Sequence, residues 1–436
     1  MYWEPEIEQL PSTRLQQLQL ERLRKTIDRA GRSPFYRQQF AAAGVASGKL
    51  QHIDDIRSLP FTTKDDLRNH FPYGFLTVPK DGPVRLHCSS GTTGNPTVIF
   101  HDQHDLASWA NLVARSLYCA GVRPTDVFQN ICGYGLFTGG LGFQYGAEHL
   151  GALVIPAAAG NSRRQIKLMQ DFGTTAVHTI PSYLLRLHNV FTELGLDPRR
   201  DTDLRMFVIG AEPHSEGQRR RIEELFGVSA YNSYGLSEMN GPGVAFECRE
   251  QNGLHIWEDC FVVEIIDPET LQPLPDGEQG ELVLTTLDRQ AMPLLRYRTR
   301  DLTRILPEPC PCGRTHRRLD RISGRSDDML ILKGCNIFPM QIEKVLMRFA
   351  EVGSDYLIVV ENCNGSDEMQ IQVEVQKEWF TGNMEALENL SRKISHAVRD
   401  EILVTPAIRL VEPGSLPKSE GKAVRVQDLR KPQESV

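Results

Sequence analysis

The stretch Ser89, Ser90, Gly91, Thr92, Thr93, Gly94, Asn95, Pro96, Thr97 gathers hydroxyls and glycines with no charge among them. It directly follows the strand-like Val84, Arg85, Leu86, His87, Cys88. Residues without a bulky Cβ let backbone N–H groups and hydroxyls close on an anion. The loop reads as a phosphate cradle, with a flexible surface turn as the competing reading. It is not the usual P-loop, because the Gly-Lys-Ser/Thr ending is missing. Further on, Tyr234, Gly235, Leu236, Ser237 and Glu238 present a ring that could stack on a base and a carboxylate that could hold Mg²⁺. A core tyrosine and a solvated glutamate are the plain alternative. Asp301, after the apolar segment around Leu294–Tyr297, either accepts two ribose hydroxyls or caps a turn. Lys422 follows Gly421, and a lysine there is a point charge for phosphate or carboxylate oxygens or a solvated surface residue.

Cysteine and histidine spacing raises a second chemistry. Cys310 and Cys312 form a Cys-x-Cys pair, too short to complete a tetrahedral site. Cys248 and His255 lie upstream and could complete a Cys₃His set, which by ligand softness and number suits structural Zn²⁺. The spacing is not that of a standard finger. Free thiols in packed loops are the alternative, with His316 and Cys260 as reserve ligands.

These residues need a scaffold. Apolar strand candidates alternate with helices: 152–156 before a helix at 163–172, 176–181 before 183–194, and 204–210 before 216–226. That rhythm predicts an α/β sheet with helices on its faces and ligands at the carboxyl ends of strands. Ahead of it, 13–45 reads as helical with a break at Ser33-Pro34, and a short polar helix is expected near 64–69. From Phe261 the pattern changes to antiparallel strands, 262–267 and 280–286, joined through Pro275-Asp276-Gly277. A compact α+β unit follows Asp327. The expectation is a large N-terminal α/β domain with a β subdomain, residues 1–326, and a small mobile α+β domain, residues 327–436. Arg325–Asp328 is a charged, glycine-containing joint suited to a hinge at Asp327.

Composition narrows the function classes. The chain has 436 residues, 40% hydrophobic and 24% charged, with net charge -7 and no long basic run. That argues against nucleic acid as the main partner. No stretch is apolar and long enough to span a bilayer, and the start lacks a basic and apolar leader. Nine scattered cysteines suggest a reducing compartment, hence a cytoplasmic location.

In their order the motifs resemble the adenylate-forming superfamily, and within it the phenylacetate–CoA ligase family, over nearly the whole chain. The supporting segments are 89–97, Gly133–Gly140, Gly210–Pro213, Tyr234–Glu238, Gly253–Asp259, Cys310–His316, Asn336–Pro339 and Ser419–Arg425. The resemblance implies a large nucleotide- and acyl-binding domain and a lid carrying a catalytic lysine. It implies an ATP-dependent, AMP-forming ligase that joins an aromatic carboxylic acid, phenylacetate or a close relative, to coenzyme A. The loop Ser89–Gly94 would hold the β- and γ-phosphates. Glu238 would carry Mg²⁺, and Tyr234 with Gly235 would pack against adenine. Gly210, Ala211, Glu212 and Pro213 would line the same pocket, and Asp301 would hold the ribose. Lys422 would neutralise charge between carboxylate and α-phosphate. Tyr134, Phe137, Gly139 and Gly140 form the candidate acyl wall, or else ordinary core packing with a turn. The lid would turn about Asp327 between the half-reactions.

One departure stands out. Asn95 replaces the family's usual lysine, so phosphate binding would lean on Mg²⁺ or on helpers such as Lys64 and Arg325. Cys335 replaces a small aliphatic residue. Two other functions use the same motifs: an aryl acid adenylation enzyme that loads a carrier protein, and a weakened ligand-binding homologue. A homodimer is left open.

Overall fold

The computed structural model describes residues 1–88, 96–333, 335–363, 366–380, 383–416 and 425–430. The loop residues Ser89, Ser90, Gly91, Thr92, Thr93, Gly94 and Asn95 therefore lie outside the described residues, as does Lys422. The chain forms two compact units. The first is Met1–Thr179, Thr202–Ala211 and Tyr231–Ile322; the second is Ile180–Asp201, Glu212–Ala230 and Ser323–Val436.

The main sheet is mixed. Its strands run in the order Ile305–Leu306, Arg318–Leu319, Leu254–Ile256, Ala245–Glu247, Ser229–Tyr234, Met206–Gly210, Ala176–Thr179, Val127–Asn130, Leu153–Ile155. The last four of these are parallel to one another. Met206–Gly210 is buried along its whole length, which is why it reads as a continuous apolar run. The strands Ala245–Glu247 and Leu254–Ile256 continue the sheet antiparallel. All three strands expected from apolar runs are present. Val127–Asn130 inserts between two of them, with its polar residues satisfied internally: Gln129 donates to Gln165 Oε1 at 2.8 Å and accepts from Thr174 at 2.8 Å.

Local chemistry sets the helix boundaries. Helix Ser12–Ala30 stops before Ser33-Pro34, and helix Pro34–Ala43 starts there, with Ser33 capping Tyr36 N at 3.2 Å and Gly44 left-handed at φ +63°. The polar helix near 64–69 is Lys64–Asn69, closed by a capping box of Thr63 and Asp66. Helix Gln103–Ala120 begins with a similar box, in which Asp102 accepts from Asp105 N at 2.8 Å and Asp105 accepts from Asp102 N at 3.3 Å. Phe261–Ile266 and Gly280–Thr286 pair antiparallel as expected, and Tyr297–Thr303 adds to the second of them.

In the second unit, Val352–Cys363 and Ser366–Val375 pair antiparallel. They are flanked by the parallel strands Val426–Asp428 and Ala407–Val411. Helix Met384–Ile402 buries Leu390, Ile394, Val398 and Ile402, a four-residue spacing that puts one stripe on the core. The unit is α+β, as its sequence suggests. Among the described residues no helix is long and apolar enough to cross a membrane.

One helix pair bears directly on the site. Helix Thr138–Leu150 lies against Gln103–Ala120 through Gly142 and Gly146, four residues apart, which meet Trp109 and Val113, also four apart. A Cβ on Gly146 would lie 2.3 Å from Val113 Cγ1 and 3.1 Å from its carbonyl carbon. The backbones are too close for any side chain there. Gly146→Ala is expected to destabilise the protein by about 1–3 kcal/mol through overpacking. A lowered midpoint in urea unfolding with an unchanged slope checks this; an unchanged midpoint would show that the pair can part at no cost.

Candidate active site

The phosphate-loop residues themselves are not described, but their frame is. Arg85–Cys88 and Val98–His101 pair antiparallel, with Cys88 opposite Val98, so the loop spans the end of a hairpin. Thr97, at the loop's exit, is fully buried and donates to Glu238 Oε1 at 3.5 Å. Tyr297 donates to the same oxygen at 3.3 Å. Glu238 is only 6% exposed. Among the described residues nothing bonds its other carboxylate oxygen. A buried carboxylate between two hydroxyls, with one oxygen unused, is a hard-oxygen set that suits Mg²⁺.

The main chain at Glu238 is held from behind. Arg289 is buried and donates to the carbonyls of Glu238 at 2.7 Å and Phe100 at 3.1 Å. Burial holds its guanidinium below the usual arginine range, opposed by the carboxylates of Asp105, Asp102 and Glu238. Asp105 in turn accepts from the N–H groups of Gln290 and Ala291 at 2.6 and 3.0 Å. Arg289 and Tyr297 are structural partners that sequence reasoning passed over. No motif surrounds Arg289, and Tyr297 looked like the end of an apolar run.

Tyr234 and Asp301 meet as a pair. The tyrosine hydroxyl donates to Asp301 Oδ2 at 2.6 Å, and Thr299 Oγ1 accepts from the Asp301 N–H at 3.1 Å. Both residues are partly buried. A single bond thus places a ring and a carboxylate side by side, the pairing that a nucleoside's base and ribose require. Gly210 ends the buried strand beside them, where a Cβ would strike Ser233 at 2.4 Å. Ala211 follows, exposed and left-handed at φ +66°. Within the second unit, Glu212 accepts from Ser182 N at 2.6 Å and Ser182 Oγ at 3.1 Å, at the start of helix Pro181–Glu193; Pro213 is exposed. Gly235 is exposed beside Tyr234.

The candidate acyl wall adjoins this frame. The Leu136 carbonyl accepts from Cys88 N–H at 3.0 Å and from His87 Nδ1 at 3.0 Å, which ties the wall to the strand before the phosphate loop. Thr138 and Ser237 hydroxyls lie 3.2 Å apart, tying the same wall to the Tyr234–Glu238 segment. Tyr134 is partly buried, and Phe137 is 55% exposed. The two glycines of this wall differ in their surroundings. Gly140 is buried, and its missing Cβ is filled by the Gly133 carbonyl at 2.5 Å. At Gly139 a Cβ would meet only Cys132 Sγ at 3.4 Å.

The residues expected to form a hinge are engaged locally. Arg325 binds both oxygens of Asp327 at 2.8 Å, and Asp327 is exposed. As a phosphate helper Arg325 would first have to leave this pairing. Lys64 is the first residue of its helix.

Cys248, His255, Cys310 and Cys312 converge, with their ligand atoms all within 4.8 Å of one another. Cys248 Sγ and Cys310 Sγ are 3.7 Å apart, and Cys312 Sγ is 3.3 Å from His255 Nε2. A tetrahedral ion with Zn–S of about 2.3 Å and Zn–N of about 2.0 Å would space such atoms by roughly 3.5–3.8 Å. His255 Nδ1 donates to the His316 carbonyl at 3.0 Å, which fixes the tautomer and leaves Nε2 as the ligand atom. The shared hydrogen bond with Cys248 pulls the Cys312 thiol down and pushes Cys248 up. The reserve ligands stay outside the cluster. His316 spends its ring nitrogens on Glu258 N and the Ile7 carbonyl, and Cys260 lies against Asp259. The cluster also anchors the N-terminal segment: Tyr2 donates to the Cys312 carbonyl at 2.9 Å, and Arg314 forms a buried ion pair with Glu8 at 2.6 Å.

Comparison with known proteins places the chain in a family. The AMP-binding enzyme family matches residues 41–287, and the AMP-binding enzyme C-terminal domain matches 334–430. The phenylacetate-coenzyme A ligase of Thermus thermophilus is 45% identical over 99% of this chain and 100% of that protein. The phenylacetate-coenzyme A ligase of Escherichia coli is 45% identical over 95% of each. A crystal structure of 2-hydroxyisobutyryl-CoA ligase in the postadenylation state with 2-HIB-AMP matches at a TM-score of 0.92 and 31% identity, over 98% of this chain and 92% of that one. The chain therefore belongs to the phenylacetate–CoA ligase family of AMP-binding, adenylate-forming enzymes.

Proposed function

We propose that this chain is an ATP-dependent, AMP-forming ligase that joins phenylacetate or a closely related aromatic acid to coenzyme A. The observation that carries the reading is the pairing of Tyr234 with Asp301 at 2.6 Å in the same unit as the buried carboxylate of Glu238 at the phosphate-loop hairpin. The near full-length likeness to phenylacetate-coenzyme A ligases supports the aromatic acid. In the first step the substrate carboxylate attacks the α-phosphorus of ATP and pyrophosphate leaves. In the second the thiol of coenzyme A attacks the acyl carbon and AMP leaves.

In this reading Asp301, held by Tyr234, accepts from the ribose hydroxyls. Tyr234 and Gly210–Ala211 border the base. Glu238 would hold Mg²⁺, which offsets charge on the phosphates. With Asn95 in the loop, backbone N–H groups and hydroxyls of residues 89–94 take a larger share of the phosphate charge. Lys422 acts mainly during adenylation, and the domain after Asp327 turns between the two steps.

Pyrophosphate release across aromatic acids, followed by thioester analysis with coenzyme A, tests the reading. Lys422→Ala is expected to slow acyl-adenylate formation about 10²-fold or more, as for other electrostatic stabilisers. Thioester formation from supplied acyl-adenylate should fall much less. Equal loss in both half-reactions of a folded variant would remove Lys422 from its role.

We also propose that Cys248, His255, Cys310 and Cys312 hold a structural Zn²⁺, remote from the chemistry. Protein purified without chelator should carry about one zinc per chain, and Cys312→Ser should lose it. Zinc-free protein from that preparation would refute the site.

A further inference from the structure

We propose that the Tyr134 hydroxyl is a directed hydrogen-bond donor in the acyl pocket, selecting aryl acids that carry an oxygen or nitrogen acceptor on the ring. This rests on reading Gly133–Gly140 as the acyl wall of a ligase. The inference itself comes from a chain of hydrogen bonds whose directions are forced. Asn130, at the end of strand Val127–Asn130, lies 2.7 Å from the Gly140 carbonyl, 2.9 Å from the Tyr134 hydroxyl and 2.7 Å from His178 Nδ1. A carbonyl can only accept. The Asn130 atom facing Gly140 must therefore be Nδ2, and the same nitrogen faces Tyr134. Its two N–H groups are thus both spent, one on each partner. Oδ1 faces His178 and needs a donor, so the histidine proton sits on Nδ1.

His178 supplies that proton in every accessible state. It is buried, with Phe143 stacked on its ring at a centroid distance of 3.7 Å. Burial lowers its pKa to about 3, so the ring is neutral and its orientation fixed. The Tyr134 oxygen therefore accepts from Asn130, and its own proton must point elsewhere. Among the described residues no acceptor takes that proton. The tyrosine is only partly buried, and its partial burial raises its pKa, so the proton stays on. A hydroxyl that accepts from a fixed amide donates more strongly by polarisation. An unsubstituted ring leaves this donor unpaired when water is expelled, whereas a ring acceptor satisfies it.

The test compares phenylacetate with the ring-position isomers of hydroxyphenylacetate and pyridylacetate, using pyrophosphate release by the wild-type chain and by Tyr134→Phe. The wild type is expected to favour at least one acceptor-bearing isomer over phenylacetate by about tenfold in kcat/KM, the scale of one hydrogen bond. In Tyr134→Phe that preference should collapse toward unity, because kcat/KM falls more for the acceptor-bearing acid than for phenylacetate. The same preference order in both proteins, or an equal loss for every acid, would overturn the donor role while leaving the ligase intact. Wild-type protein that releases no pyrophosphate with any aryl acid would overturn the underlying reading, and this inference with it.

Discussion

The frame of the site turns on one buried guanidinium. Arg289 joins the carbonyl of Phe100, on the strand after the phosphate loop, to the carbonyl of Glu238. Asp105, in the first turn of helix Gln103–Ala120, accepts from the N–H groups of Gln290 and Ala291 and offsets the arginine's charge. Each of these groups would be costly to bury alone, about 1–3 kcal/mol for an unpaired polar group and more for a charge. Together they satisfy one another and fix three segments at once. The carboxylate read as the metal holder is thus placed by its own main chain.

The Cys₃His cluster does comparable work at the other end of the sheet. His255 lies on one strand, Cys248 directly follows the neighbouring strand, and Cys310 and Cys312 come from a distant loop. Around it, Tyr2, Glu8 and Ile7 bind the loop that carries Cys310–His316. The cysteine-rich excursion and the N-terminal segment are therefore one folded piece, even though they are some three hundred residues apart in sequence.

Much of this was legible from sequence, and the reasons differ by element. The strands Ala176–Thr179 and Met206–Gly210 are buried on both faces, so their apolar runs announced them. Ser33-Pro34 marked a break in the helical pattern because both residues act locally. The Cys₃His set was found because thiol and imidazole spacing is chemically unusual. What stayed hidden depended on partners far away in the chain. Val127–Asn130 carries Gln129 and Asn130 and looks too polar for a central strand until Gln165, Thr174 and His178 are seen to satisfy it. Strands of two or three residues, such as Arg318–Leu319, have too little length to show a period. At Gly140 the sequence shows the glycine but not that its space belongs to a neighbouring carbonyl.

The glycine contact between helices Gln103–Ala120 and Thr138–Leu150 has a consequence for how this enzyme can diversify. The second helix begins at the acyl wall, and the first begins just after the phosphate-loop hairpin. With backbones in contact at Gly142 and Gly146, the two helices cannot slide or part without rebuilding the core around Trp109 and Val113. In the ligase reading, the spacing between acyl wall and nucleotide is thereby set by the scaffold, which leaves side-chain exchange at positions such as Tyr134 and Phe137 as the route to a new acid.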